Sequence, residues 1–231
     1  AAATFTCYAG GMFMAVIMHD TKMKIAPVYR SFFILPYAVP AVVSMLVWQN
    51  MLNGSFGTVN RTLIALGWMT KDTVIPWLSD ATLAKFVCVL INLWAGFPYF
   101  MLLTMGSMTA ISKETYEAAR IDGASRFQIF RSITLPSVLY QTMPLIIMSF
   151  THNINNFGAI FFLTGGNPVV ADSVTTSAKG TDILVTWIYN LTINLQKYNY
   201  AAVLAVCIFV VLAPFAIFNF RRTRSFKEGE L

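Results

Sequence analysis

The residues best placed to do chemistry are amides and aromatic rings set inside apolar sequence. The run Asn92-Leu93-Trp94-Ala95-Gly96-Phe97-Pro98-Tyr99 lies within a long hydrophobic stretch. Asn92, Gly96 and Tyr99 fall at i, i+4 and i+7, which is one face of a helix. Trp94 falls off that face and turns inward only if Pro98, which removes an intrahelical hydrogen bond, bends the chain. A second group, His152, Asn153, Asn155 and Asn156, crowds the end of another apolar stretch. There His152 and Asn156 are spaced i, i+4, and Asn153 and Asn156 i, i+3. Amides and phenols bond hydroxyls, and an indole plane stacks on the C–H face of a pyranose, so both groups suit recognition of a sugar. The same residues also suit hydrogen bonds between membrane helices and a proline kink. Both readings stand at this point. A catalytic reading is weaker, because Ser149 and His152 are within reach at i, i+3 but nothing activates the pair.

A third feature is an island of charge. Seven charged residues lie between Lys113 and Arg131, with apolar stretches on both sides. Each charge at a bilayer centre costs several kcal/mol, so the island must stand in water. It contains Glu117-Ala118-Ala119-Arg120-Ile121-Asp122-Gly123, followed ten residues later by Ile133-Thr134-Leu135-Pro136. Good helix formers from Glu114 to Ile121 predict a short helix, which Gly123 can end in a left-handed conformation. Ser125 can then cap a second helix through Ile129 or Phe130, with Pro136 marking entry to the next apolar stretch.

The elements that hold these residues follow from composition. Of the 231 residues, 57% are hydrophobic and 11% charged, against about 25% charge in a soluble domain. Five apolar runs, about 1–18, 31–49, 83–105, 138–157 and 198–220, are each close to the ~20 residues a bilayer requires. The chain is therefore expected to be an all-α polytopic membrane protein. It opens on Ala1-Ala2-Ala3, already apolar and without an initiator Met, so further residues or helices are expected upstream. Eleven of the sixteen Lys and Arg fall on one side: Lys22, Lys24, Arg30, Lys113, Arg120, Arg126, Arg131, Arg221, Arg222, Arg224 and Lys227. The positive-inside rule makes that side cytoplasmic, which puts the charged island in the cytoplasm and residues 158–197 outside. The same distribution argues against a nucleic-acid role, since the basic residues sit in short loops between apolar runs. Cys7, Cys88 and Cys207 lie in apolar runs without metal-like spacing and read as small buried hydrophobes. Paired glycines and Asn-Pro in Leu163–Pro168 predict a turn.

The island's pattern of Glu-Ala-Ala, three residues, Gly, nine residues, Ile-x-Leu-Pro resembles the cytoplasmic EAA loop of binding-protein-dependent ABC import permeases. All seven fixed positions match: Glu117, Ala118, Ala119, Gly123, Ile133, Leu135 and Pro136. The resemblance extends over nearly the whole chain and narrows to the larger permease subunit of maltose/maltodextrin importers. It implies a five-helix permease core in a bacterial cytoplasmic (inner) membrane. It also implies a second permease subunit, an ATPase subunit dimer docked on Glu117, Ala118, Ala119, Asp122, Gly123 and Phe127, and an extracytoplasmic solute-binding protein. The substrate implied is an oligosaccharide, and maltose or maltodextrin within this branch. Its site, on the resemblance, draws on Tyr37, Ala41, Asn92, Trp94, Ala95, Gly96, Tyr99, His152, Asn153 and Asn156. Enteric members of the branch have serine in place of Ala41 and phenylalanine in place of His152, so one hydroxyl is lost and one ring becomes smaller and polar. The segment Ala178–Val185 also looks like the branch's outer loop.

No Gly-x4-Gly-Lys-Ser/Thr loop occurs in the chain, so no nucleotide cofactor is expected in this subunit; ATP and Mg are expected on the partner ATPase. No metal site is expected. The rival class, an ion-coupled secondary transporter, usually carries ionisable residues within its spans. Here only His152 lies deep in an apolar run, with Lys85 at an edge.

Overall fold

Each of the five apolar runs forms helix. The computed structural model describes residues 2–20, 26–70 and 72–222, and no strand occurs among them. Lys22, Lys24, Arg224, Lys227 and Lys71 lie outside the described residues. The first run is α1 (Ala2–Asp20), packed chiefly along α5. Small residues permit the close crossing: a Cβ on Gly11 would come within 2.6 Å of Phe100 Cβ and 2.7 Å of the Met101 backbone nitrogen. Tyr8 ties α1 to α8 through a hydroxyl contact with Thr142 at 3.0 Å, both residues being buried.

The second run departs from a single span. Residues 31–49 are divided between α2 (Ala26–Ala38) and α3 (Ala41–Met51), which meet at 89°. The break falls at Val39-Pro40. Proline has no N–H to continue the ladder, and it drives the residue before it out of the helical region. Pro40 sits at φ −53°, ψ 128°, extended rather than helical. Beyond α3, the connection is organised by Asn60 in the short helix α4 (Thr58–Ala65). Asn60 is buried, donates to the Gly54 and Ile75 carbonyls, and accepts the Trp77 indole N–H at 2.8 Å.

The third run is α5 (Ala81–Thr109), capped by Asp80, whose carboxylate accepts the Leu83 N–H at 2.7 Å. It continues through Pro98 as one helix. The charged island follows as α6 (Lys113–Ile121) and α7 (Arg126–Ile129). α7 does not stop at residue 130. It passes through a π-helical stretch, Phe130–Thr134, into α8 (Leu135–Ile154), so that Arg126–Ile154 forms one 29-residue helix. The wider turn, in which the Leu135 N–H reaches the Phe130 carbonyl, accommodates Pro136 without ending the helix.

The fourth run also differs from 138–157. α8 ends at Ile154, and α9 (Phe157–Leu163) begins after a break at Asn155-Asn156, with Asn156 capping it through the Ala159 N–H at 3.4 Å. α9 packs on α3. The expected turn is present, with Gly165 and Gly166 at φ 58° and 83°. The connection expected to lie outside then carries α10 (Ser173–Thr176) and α11 (Leu184–Tyr189), followed by a π-helical stretch and α12 (Tyr198–Arg222).

By length and apolarity, three helices suit a straight crossing of a bilayer: Ala81–Thr109, Arg126–Ile154 and Tyr198–Ile217. The bent α2–α3 pair is a fourth candidate and Ala3–Met18 is a shorter apolar helix. One buried cluster is Met45, Leu52, Val87, Ile91 and Leu163; another is Cys7, Tyr8 and Phe100. Of the cysteines, Cys7 is buried and Cys88 half-buried, but Cys207 is exposed, against expectation. It lies on α12, whose Val203, Val206, Phe209 and Val210 form an exposed apolar surface.

Candidate functional site

The two breaks, at Val39-Pro40 and at Asn155-Asn156, open onto one cavity of about 700 Å³. Irregular backbone at membrane depth is tolerated where it is covered by protein or lines a cavity, because its freed polar groups need partners. The α2–α3 break contributes Pro36 to Val42 to the wall. α8 and α9 contribute Ser149, His152, Asn153, Asn156 and Gly158, and α5 contributes Asn92, Ala95, Gly96 and Tyr99.

Nine of the ten expected site residues line this cavity: Tyr37, Ala41, Asn92, Ala95, Gly96, Tyr99, His152, Asn153 and Asn156. They come from segments more than a hundred residues apart. The Asn92 amide donates to the Asn153 carbonyl oxygen at 3.2 Å, linking α5 to α8. The Cys7 thiol donates to the same Asn92 side chain at 3.4 Å, and the Asn153 amide donates to the Ser149 carbonyl at 2.9 Å. Tyr37 and Tyr99 face each other with ring centroids 6.1 Å apart. No Lys, Arg, Asp or Glu lines the cavity among the described residues.

Trp94 does not line it. α5 runs through Pro98 as one unbroken helix, and the Trp94 indole meets Trp48 of α3 edge-on at 5.5 Å. Conversely, Ser44 was missed from the sequence. It lines the cavity one turn from Ala41, is buried, and its hydroxyl has no hydrogen-bond partner. A serine within an apolar run gives no signal until the fold shows which way it points. The α2–α3 break had a signal, the Pro36-x3-Pro40 pair, which marks a discontinuous helix.

The charged island forms a knob at the opposite end of α5 and α8. Ser112 caps α6 through the Thr115 N–H, and Ser125 and Gln128 form a reciprocal capping box on α7. Between them Gly123 adopts φ +77°, as its position predicted. Glu117, Ala118, Asp122, Gly123 and Phe127 are exposed, and Ala119 is half-buried. Ile121 and Phe127 expose 86% and 68% of their surface. The Tyr116 hydroxyl contacts the Thr134 hydroxyl at 3.1 Å, which fixes α6 against the root of α8.

Residues 8–223 match the family model described as the binding-protein-dependent transport system inner membrane component. The chain belongs to this family. Among curated members it is 40% identical over 218 residues to the galactooligosaccharides transport system permease protein GanP of Bacillus subtilis, covering 94% of this chain and 51% of that protein. It is 39% identical over 223 residues to the maltose/maltodextrin transport system permease protein MalF of Escherichia coli, covering 95% and 42%. It is 35% identical to the maltodextrin transport system permease protein MalC of Streptococcus pneumoniae, covering 94% and 50%. The chain thus spans about half the length of these relatives. Among solved structures it is similar to a bacterial alginate ABC transporter in complex with an alginate pentasaccharide-bound periplasmic protein. There the TM-score is 0.73 at 20% identity, over 97% of this chain and 77% of that one, a likeness of fold alone.

Proposed function

We propose that this chain is a single permease domain, a transmembrane subunit of an ATP-driven ABC importer that moves a neutral oligosaccharide across a bacterial inner membrane. The observation that carries the reading is the convergence of amides and aromatic rings from three broken or apposed segments on one membrane-embedded cavity, in a chain of this family. Asn92, Asn153, Asn156 and Ser44 bond hydroxyls. Tyr37 and Tyr99 offer both ring faces and phenols. Ala41, Ala95 and Gly96 leave room for the ring, and His152 bonds at the rim. A lining without Lys or Arg among the described residues suits a neutral sugar better than an acidic polysaccharide such as alginate.

Maltodextrin is the substrate proposed first, from the resemblance to the maltose branch. Galactooligosaccharides are the second reading, supported by the 40% identity to GanP. The chain itself supplies no catalysis. It pairs with a second permease subunit, and an ATPase dimer docks on the knob formed by Glu117, Ala118, Ala119, Asp122, Gly123 and Phe127. ATP and Mg belong to that partner. A solute-binding protein delivers sugar from outside. Closure of the ATPase dimer moves the knob, and the helices rock to turn the cavity outward; hydrolysis reverses the motion.

The test is purification of the intact protein followed by reconstitution. An ATPase and a second permease should co-purify, and sugar uptake into proteoliposomes should require ATP and a binding protein. Uptake driven by a proton or sodium gradient without ATP would replace this reading with an ion-coupled carrier.

A further inference from the structure

A second cavity of about 550 Å³ lies on the outer-loop side of the first. Asn92, Asn153 and Asn156 line both, together with Met45 and Ala159. The two spaces therefore adjoin, with the same three amides facing both. Each is within the range of small-molecule sites, roughly 300–1,000 Å³. The far wall of the second comes from the loop and α11: Ala178, Asp182, Ile183, Leu184 and Trp187.

That wall is built rather than loose. Thr164 and Thr181 are buried and share a hydroxyl contact at 2.8 Å, Thr181 N–H donates to the Gly166 carbonyl at 2.9 Å, and Gly180 N–H donates to the Pro168 carbonyl at 2.7 Å. Asp182 takes the Lys179 N–H on one oxygen and the Thr186 hydroxyl on the other, both at 2.8 Å. An ionised carboxylate has about four acceptor positions, so two remain for hydroxyls. The Trp187 indole N–H is spent on the Thr176 carbonyl at 3.1 Å. What Trp187 can still offer a ligand is the face of its ring. Asn156 uses its carbonyl oxygen to cap α9, and its amide N–H groups have no partner among the described residues.

An aromatic face, a carboxylate with free acceptor positions and an amide donor in one cavity are the elements that bind a pyranose. We infer that this outer cavity is a second sugar subsite, in which the next rings of a chain seated in the first cavity stack on Trp187 and bond Asp182 and Asn156. The inference rests on the proposed oligosaccharide transport. It assigns to Trp187 the stacking that Trp94, turned toward Trp48, does not supply in this arrangement.

Chain length separates the two cavities. In proteoliposomes holding the complete transporter, uptake of maltose and maltotetraose is compared, with β-1,4-linked galactose di- and tetrasaccharides in parallel. Each variant is referred to wild type at the same sugar, so the binding protein's own preference cancels. Trp187→Ala should lower kcat/KM for the tetrasaccharide at least fivefold more than for the disaccharide. Trp187→Phe keeps a ring but loses the bond to Thr176, and should recover tetrasaccharide uptake to within about threefold of wild type. Equal loss at both lengths, no loss at either, or a Phe variant as impaired as the Ala variant would overturn the subsite and leave Trp187 a brace of the outer loop. A wild-type transporter that takes up neither sugar series would instead reject the carbohydrate reading, and the subsite with it.

Discussion

Trp94 and Asn153 are fifty-nine residues apart in sequence and are both placed beside a sugar by the amino-acid pattern, yet the fold gives them different work. Asn153→Ala removes the acceptor of the 3.2 Å bond from Asn92 and leaves a cavity-facing amide unpaired. The loss of such a bond costs about 1–3 kcal/mol, and 1.4 kcal/mol is a factor of ten. The variant also lacks the group proposed to bond a sugar hydroxyl, worth a similar amount, so sugar affinity should fall by roughly 5- to 100-fold, and the melting temperature should fall as well, because the lost bond joins α5 to α8. Trp94→Ala instead removes an edge-on ring pair with Trp48, worth about 0.5–1.5 kcal/mol beyond its area, and opens a void between α5 and α3. Its principal effect should be a lower melting temperature of the purified complex, largely recovered in Trp94→Phe, with KM changed by less than about threefold. The assay is uptake kinetics, ATPase rate and thermal melting on the same preparations. If Trp94→Ala raises KM more than Asn153→Ala while melting unchanged, Trp94 contacts sugar in the working cycle and the reasoning from this geometry is refuted.

Two further outcomes follow from the knob and the charge distribution. Gly123 holds φ +77°, which proline at φ near −65° cannot adopt, and its N–H bonds the Arg120 carbonyl; Gly123→Pro, or charge reversal at the exposed Glu117, should abolish sugar-stimulated ATPase activity while the protein still inserts, and wild-type stimulation in both would remove the knob from coupling. In a cysteine-free background, a cysteine at Val174, 86% exposed on the outer loop, should react with a membrane-impermeant maleimide in intact cells, and one at Ser125 should react only after permeabilisation; the reverse pattern would invert the topology.

Much of the helical content and the knob was legible because the signals are local. Apolar run length gives a helix, and Ser125, Gly123 and Gln128 lie within six residues of one another. The capping and the left-handed turn therefore needed no tertiary information. The residues of the cavity were legible as types but not as neighbours. Asn92 and Asn153 read as equally fit for sugar or for helix packing, and in the fold they touch each other and a cavity at once. Trp94 was misplaced because Pro98 was expected to bend α5. A proline in a long, packed helix removes one bond without ending the helix, and α1 and α2 pack along α5 on either side of it. The bend occurs at Pro40 instead, where the chain also passes through Pro36 and two elements meet at 89°. Ser44 was invisible because direction, not residue type, makes its hydroxyl relevant.

The knob and the cavity are joined by one continuous helix. Arg126–Ile154 is a single 29-residue helix with the knob at its start and His152 and Asn153 at its end. At 1.5 Å per residue it spans roughly 43 Å, so a tilt at the knob would displace Asn153 relative to Asn92 and strain the 3.2 Å bond between these two residues, which line both cavities. Transmission by a lever requires stiffness along its length, and this can be reduced without touching either end. Tyr140 is 86% exposed and Gln141 is also exposed, so replacing both by glycine removes no interior packing within this chain. Each glycine weakens the helix by about 1 kcal/mol relative to alanine. The expected result is a transporter that assembles, retains ATP hydrolysis and binds sugar, but hydrolyses several-fold more ATP per sugar moved. Replacement of the same pair by alanine should leave the ratio near wild type, because alanine keeps the helix stiff while removing the same side chains. An unchanged ratio in the glycine variant would mean that motion reaches the cavity by another element, with α5, which carries Asn92 and ends at Thr109 just before α6, the remaining rigid path.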